Sequence, residues 1–101
     1  MKARKHDSEV LRKVMGTITP LEMEQFRNKT LIAVNIEVRM MMLGINRIGL
    51  AMKLEKSPSE ITRWLNGRQN FTIDVLTEIA FALETNIVEL VKWHTRKTKN
   101  K

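Results

Sequence analysis

Ser57-Pro58-Ser59-Glu60-Ile61-Thr62-Arg63-Trp64-Leu65-Asn66-Gly67-Arg68 is the stretch whose reading decides the fold. Both ends of a short helix are written into it. Ser57 is placed to accept from the backbone amide three residues on, and Glu60 to reach back, as in a capping box. Pro58 falls at the first helical position, where its missing N–H costs nothing. Asn66-Gly67 supplies a residue free to take positive φ, so the helix stops there. Between the caps, Ile61, Trp64 and Leu65 form one apolar face at helical spacing. Ser59, Glu60, Thr62 and Arg63 point elsewhere. A helix this short does not stand alone in water. Its apolar face must therefore be held by neighbours, and its polar face presented outward.

The neighbours can be read on both sides. Asn46 caps a preceding helix from Arg47 to about Leu54, expected to bury Ile48 and Ala51, with Leu50 and Leu54 as further candidates. Glu55-Lys56 makes the turn into the helix at Pro58. After the polar loop Arg68-Gln69-Asn70-Phe71, Thr72 caps another helix, with Asp74 in its first turn. Val75, Leu76, Ile79, Ala80 and Leu83 give that helix an apolar stripe. Thr85-Asn86 breaks it, and a last helix from Ile87 to about Trp93 is expected to turn Ile87, Leu90 and Val91 inward.

Upstream, Thr19-Pro20-Leu21-Glu22 repeats the capping-box and proline signature. A helix should run from Pro20 toward Leu43 and close at Gly44. Asn28-Lys29-Thr30 is a weak place within it, which leaves open whether residues 20–43 are one helix or two. The expected buried stripe is Leu31, Val34, Val38, Met41 and Met42, with the methionines filling irregular gaps. Asp7 or Ser8 caps a short helix to about Met15, ended by Gly16. No strand pattern competes, so the fold class is all-α. The division read from this pattern is an N-terminal helical extension over 1–30, a domain over 31–91 and a basic tail over 92–101.

Composition narrows the function. The chain has 101 residues, 43% of them hydrophobic, enough for one small core. A formal net charge of +7 favours an anionic partner such as nucleic acid or an acidic membrane surface. The absence of cysteine removes disulfides and the usual structural zinc sites. No apolar run approaches the length of a membrane span, and no apolar signal core follows the basic start, so a cytoplasmic protein is expected.

Chemistry-bearing motifs fail on inspection. Gly44-Ile45-Asn46-Arg47-Ile48-Gly49 has the glycine spacing of a phosphate loop, but Leu50-Ala51 stands where Lys-Ser/Thr is needed. His6 and His94 have no local metal-ligand pattern. Glu22 with Glu24, and Glu84 with Glu89, read as solvated helix faces. No catalytic residue, metal site, cofactor or small-molecule substrate is expected, and the protein is not expected to be an enzyme.

Arg47–Leu54, the tight turn and Pro58–Leu65 have helix-turn-helix spacing, with Ala51 as the small residue at the crossing and Ile61 as the buried residue of the second helix. With Leu50-Ala51, Leu54, Ser57, Ile61, Asn66-Gly67, Leu76, Ile79-Ala80 and Leu83, this stretch resembles the Cro/C1-type (lambda-repressor-like) helix-turn-helix family over about residues 31–91. Two departures stand out. Glu55 occupies a turn position that is usually glycine. Leu65, facing Met40, stands where the family often has a Glu–Arg pair, and an apolar replacement of such a pair is often neutral or stabilising. The segment Trp64–Thr72 and the helices before residue 31 resemble the subset found among antitoxins of bacterial toxin–antitoxin pairs.

The resemblance implies a five-helix DNA-binding domain acting as a transcriptional repressor, in the narrower case an autoregulating antitoxin with a cognate toxin as partner. The helix from Pro58 would enter the major groove of a palindromic operator. Ser59 and Arg63 would be the base readers, Arg63 by two donors to guanine. Thr62 would contact a base or a phosphate. Pro58 could meet a thymine methyl, and Glu60 reads better as a cap than as a reader of cytosine. Arg47 and Ser57 would hold phosphate at one end, Arg68 and Asn70 at the other. A two-fold homodimer is implied, through residues 71–91 or the N-terminal helices. Two other classes compete: a protein-interaction module that binds a toxin through residues 1–30, and an RNA-associated protein using the basic tail. Membrane binding is less expected, because no helix pairs a basic face with a broad exposed apolar one.

Overall fold

Five helices organise the chain in the computed structural model, which describes Gly16 and residues 18–94. They are α1 (Pro20–Leu43), α2 (Arg47–Leu54), α3 (Pro58–Trp64), α4 (Ile73–Ala82) and α5 (Ile87–Val91), with no strand among the described residues. The fold is all-α, as the sequence pattern predicts. The helix expected before Gly16, and the tail beyond His94, lie outside the described residues.

Every helix among the described residues starts on a side-chain cap. Thr19, Asn46, Ser57, Thr72 and Asn86 each accept from the backbone amide three residues on, satisfying a donor that the first turn leaves free. At Thr19 the box is complete, for Thr19 N also donates to Glu22 Oε1 at 3.1 Å. At Ser57 only the forward bond is formed among the described residues, from Glu60 N to Ser57 Oγ at 3.2 Å. Asn28-Lys29-Thr30 does not interrupt α1, which is one helix of 24 residues.

Three helix ends share one device. Gly44, Glu55 and Glu84 take left-handed φ of 68°, 58° and 59°, and the following amide reaches back to a carbonyl five residues earlier: Ile45 to Met40, Lys56 to Ala51, Thr85 to Ala80, each at 2.9 Å. Only the first uses glycine. The turn between α2 and α3 thus keeps a left-handed residue although Glu55 is strained there.

The core is built from Ile36, Met40, Leu50, Ala51, Ile61, Trp64, Leu76, Ile79, Ala80, Leu83 and Leu90. Leu65 and Leu54 pack against its edge. Met40 belongs to this cluster and Leu65 packs against it, so both positions make apolar contacts with the core.

Three inward assignments are corrected. The buried face of α1 is Leu31, Ala33, Ile36 and Met40, not the stripe through Val34, Val38, Met41 and Met42, which are 50, 46, 74 and 68% exposed. Polar groups decide the rotation. Asn35, itself buried, donates from Nδ2 to the carbonyls of Leu90 and Lys92, both at 2.9 Å. Arg39 donates to the carbonyls of Leu83 and Glu84 at 2.9 and 2.8 Å. These bonds turn residues 35 and 39 toward the carboxyl ends of α4 and α5, so Val34 and Val38 face out. Ile48 is exposed because the first turn of α2 lies at the surface; Leu50 and Ala51 are the buried pair. Val91 is exposed because α5 ends there; Leu90 is buried and Ile87 packs against the core as expected.

The strain at Glu55 is measurable. Glu55→Gly is expected to raise the stability of the full chain by about 0.5–1 kcal/mol, the relief of the left-handed strain less the entropy of an added glycine. Urea denaturation checks it; a gain of the same size from Glu55→Ala would show that backbone conformation is not the cause.

Candidate nucleic-acid interface

Burial divides α3 into an inner and an outer face. Ile61 is wholly buried and Trp64 nearly so, and Trp64 meets the ring of Phe71 edge-on with centroids 6.2 Å apart. This fixes Trp64 as a core residue and not a base-stacking one. Ser57, Pro58, Ser59, Thr62 and Arg63 are exposed and Glu60 is half-buried. The outer face is therefore hydroxyls, one carboxylate and one guanidinium on a rigid anchor.

The hydroxyls at its amino end are tied together. Ser57 Oγ caps Glu60 N and lies 3.3 Å from Ser59 Oγ. Arg47 opens α2 and reaches across to α3, where its Nη1 donates to Thr62 Oγ1 at 3.3 Å. Its Nη2 lies 3.3 Å from Glu37 Oε2 on α1. The fold thus brings together Arg47, Thr62 and Glu37, and separately Ser57, Ser59 and Glu60. Arg63 forms no side-chain hydrogen bond among the described residues, which leaves its five donors available.

Arg68 and Asn70 lie past the other end of α3, both exposed. Arg68 is positioned by its backbone, whose amide donates to Asn66 Oδ1 at 2.8 Å, an Asx-type turn. Gly67 follows with φ of 86°. A Cβ there would come no nearer than 3.6 Å to Thr30 Oγ1 on α1, so conformation and not space calls for glycine. No hydrogen bond among the described residues joins Arg68 or Asn70 to the group at the amino end.

Glu37, Asn35 and Arg39 are the residues that sequence reading missed. Asn35 and Arg39 carry a signal, two polar hydrogen-bond donors four apart inside an apolar run, which suits them to a neighbour's carbonyl ends. Glu37 carries none, because its meeting with Arg47 is made by the crossing of α1 and α2. No group of three or more His, Cys, Asp or Glu among the described residues is arranged to hold a metal ion. No helix among them is long and apolar enough to cross a membrane.

Residues 36–90 match the helix-turn-helix family model, more than half of the chain. A comparison with curated proteins finds no match. Similar solved structures include hydroxypropylphosphonic acid epoxidase from S. wedmorenis, 27% identical with a TM-score of 0.61 over 64% of this chain and 35% of that one. Apo-HppE matches at 27% identity and a TM-score of 0.61, over 64% of this chain and 36% of that one. FeII HppE in complex with substrate matches at 28% and 0.60, over 63% and 37%. The chain spans about a third of the length of these proteins. The iron and the epoxidase activity belong to them.

Proposed function

The chain belongs to the helix-turn-helix family, a DNA-binding and not an enzymatic family, and from that premise we propose that it is a sequence-specific repressor that reads double-stranded DNA with the outer face of α3. The observation that carries the proposal is the division of that helix. Ile61 and Trp64 are sunk in the core, while Ser59, Thr62 and Arg63 stand exposed on the opposite side. A buried anchor fixes the orientation of the polar face, which is what discrimination between bases requires. Arg63 and Ser59 are the base readers. Arg47 and Ser57 hold phosphate at the amino end, Arg68 and Asn70 beyond the carboxyl end. The finer reading, an autoregulating antitoxin, is supported by the resemblance of Trp64–Thr72 to that subset.

Selection of bound fragments from random duplex DNA tests this reading. A palindromic consensus with half-sites about one helical turn apart is expected; salt-sensitive binding without a preferred sequence overturns it. On the selected site, Arg63→Ala is expected to relax preference at one position, with a loss of about 1–3 kcal/mol. Arg68→Ala is expected to weaken all sequences alike and to flatten the salt slope by about 0.9. The reverse pattern would exchange the two roles.

A homodimer completes the proposal, and the exposed face of α1 favours it. Leu31, Val34, Val38, Met42, Leu90 and Trp93 line a groove of about 680 Å³. The positions 34, 38 and 42 are symmetric about Val38, so an antiparallel second copy of α1 would set Val34 against the partner's Met42. A two-fold interface has this self-complementarity. Val38→Glu is then expected to convert dimer to monomer in sedimentation analysis with the helical circular dichroism kept; a dimer unaffected by it places the interface elsewhere.

A further inference from the structure

We propose that Glu37 is a built-in competitor for DNA phosphate, holding the Arg47 guanidinium and, through it, the Thr62 hydroxyl of α3. The inference rests on the DNA-binding reading above. Glu37 belongs to α1, outside the two helices of the motif. Its Oε2 lies 3.3 Å from Arg47 Nη2, while Arg47 Nη1 donates to Thr62 Oγ1 at 3.3 Å. A guanidinium presents the same planar fork to a carboxylate and to a phosphate. The carboxylate of Glu37 therefore takes the place on Arg47 that a phosphate oxygen would take.

The strength of the pair suits exchange. The two side chains are 44% and 46% exposed, so the attraction is screened by water and salt and is weak. A polyanion can displace it. The exchange has two consequences. Arg47 leaves Thr62, whose oxygen then has that acceptor site free for a base donor, its O–H being available to a base or a phosphate in either state. Glu37 gives up its cation, and the lost attraction of the Arg47–Glu37 pair is subtracted from the gain of binding. The second effect lowers affinity for every sequence alike and makes binding less salt-dependent than the count of basic contacts would give. Glu37 in this account sets the non-specific background against which Arg63 and Ser59 discriminate. It touches no base.

The test uses the full chain, fluorescence anisotropy, a selected duplex and a duplex of unrelated sequence, across a salt series. The proteins are wild type, Glu37→Gln, Glu37→Ala, Arg47→Ala and Glu37→Gln with Arg47→Ala, each checked for an unchanged thermal transition. Both Glu37 variants are expected to bind both duplexes about two- to fivefold more tightly, and to steepen the salt slope by up to about 0.9. The gain should vanish in the Arg47→Ala background. Unchanged or weaker binding by the folded Glu37 variants overturns the proposal, since Glu37 would then position Arg47 for DNA or act on neither. An equal gain in the Arg47→Ala background also overturns it, because Glu37 would act by general repulsion. Binding of neither duplex by any of these proteins, wild type included, instead removes the DNA-binding reading on which the proposal stands.

Discussion

The carboxyl ends of α4 and α5 are held by two side chains of α1, and the remaining geometry depends on that hold. Carbonyls at a helix end have no partner within the helix. Arg39 supplies donors, and a positive charge, to Leu83 and Glu84 at the end of α4. Asn35 supplies both amide hydrogens to Leu90 and Lys92 at the end of α5. α5 has five residues, too few to persist by itself. It stays in place through the burial of Leu90 and the bonds from Asn35. The same bonds fix the rotation of α1, so that Ile36 and Met40 enter the core and Val34 and Val38 do not. They leave Glu37 on the flank that meets Arg47.

That arrangement explains what could be read from residues alone. The helix starts were legible because each rests on a local bond, such as Ser57 Oγ to Glu60 N or Thr72 Oγ1 to Val75 N. The inner face of α4 was legible because Leu76, Ile79, Ala80 and Leu83 stand against polar neighbours. In α1 the contrast is lost. Residues 31–43 are apolar nearly all round, and two stripes fit a helix equally well. The choice between them is made by carbonyls 44 to 57 residues away in sequence, which no local pattern contains. The strained turn at Glu55 was legible as a departure, and it keeps the left-handed conformation. The side chain that meets Arg47 was not legible, because it depends on how two helices cross.

The candidate interface follows from the same division between local and distant causes. Its scaffold is local: proline and serine start α3, and Asn66 and Gly67 end the segment. Its orientation is distant, set by Ile61 and Trp64 in the core and by Phe71 against the indole. Its charge state is shared with α1 through Glu37. The core-facing residues of α3 thus govern where the polar face points, and the flank of α1 governs how freely one of its basic groups meets an anion.

The most direct test of the account follows the backbone amides of isotope-labelled protein by NMR while an operator-length duplex from the selection is added. The largest shifts are expected at Ser57, at Ser59 to Arg63 and at Arg68 to Asn70, with Val34, Val38 and Trp93 unmoved at constant protein concentration. Shifts confined to Val34, Val38 and Trp93, with α3 unmoved, would contradict the claim that the outer face of α3 is the surface that meets DNA.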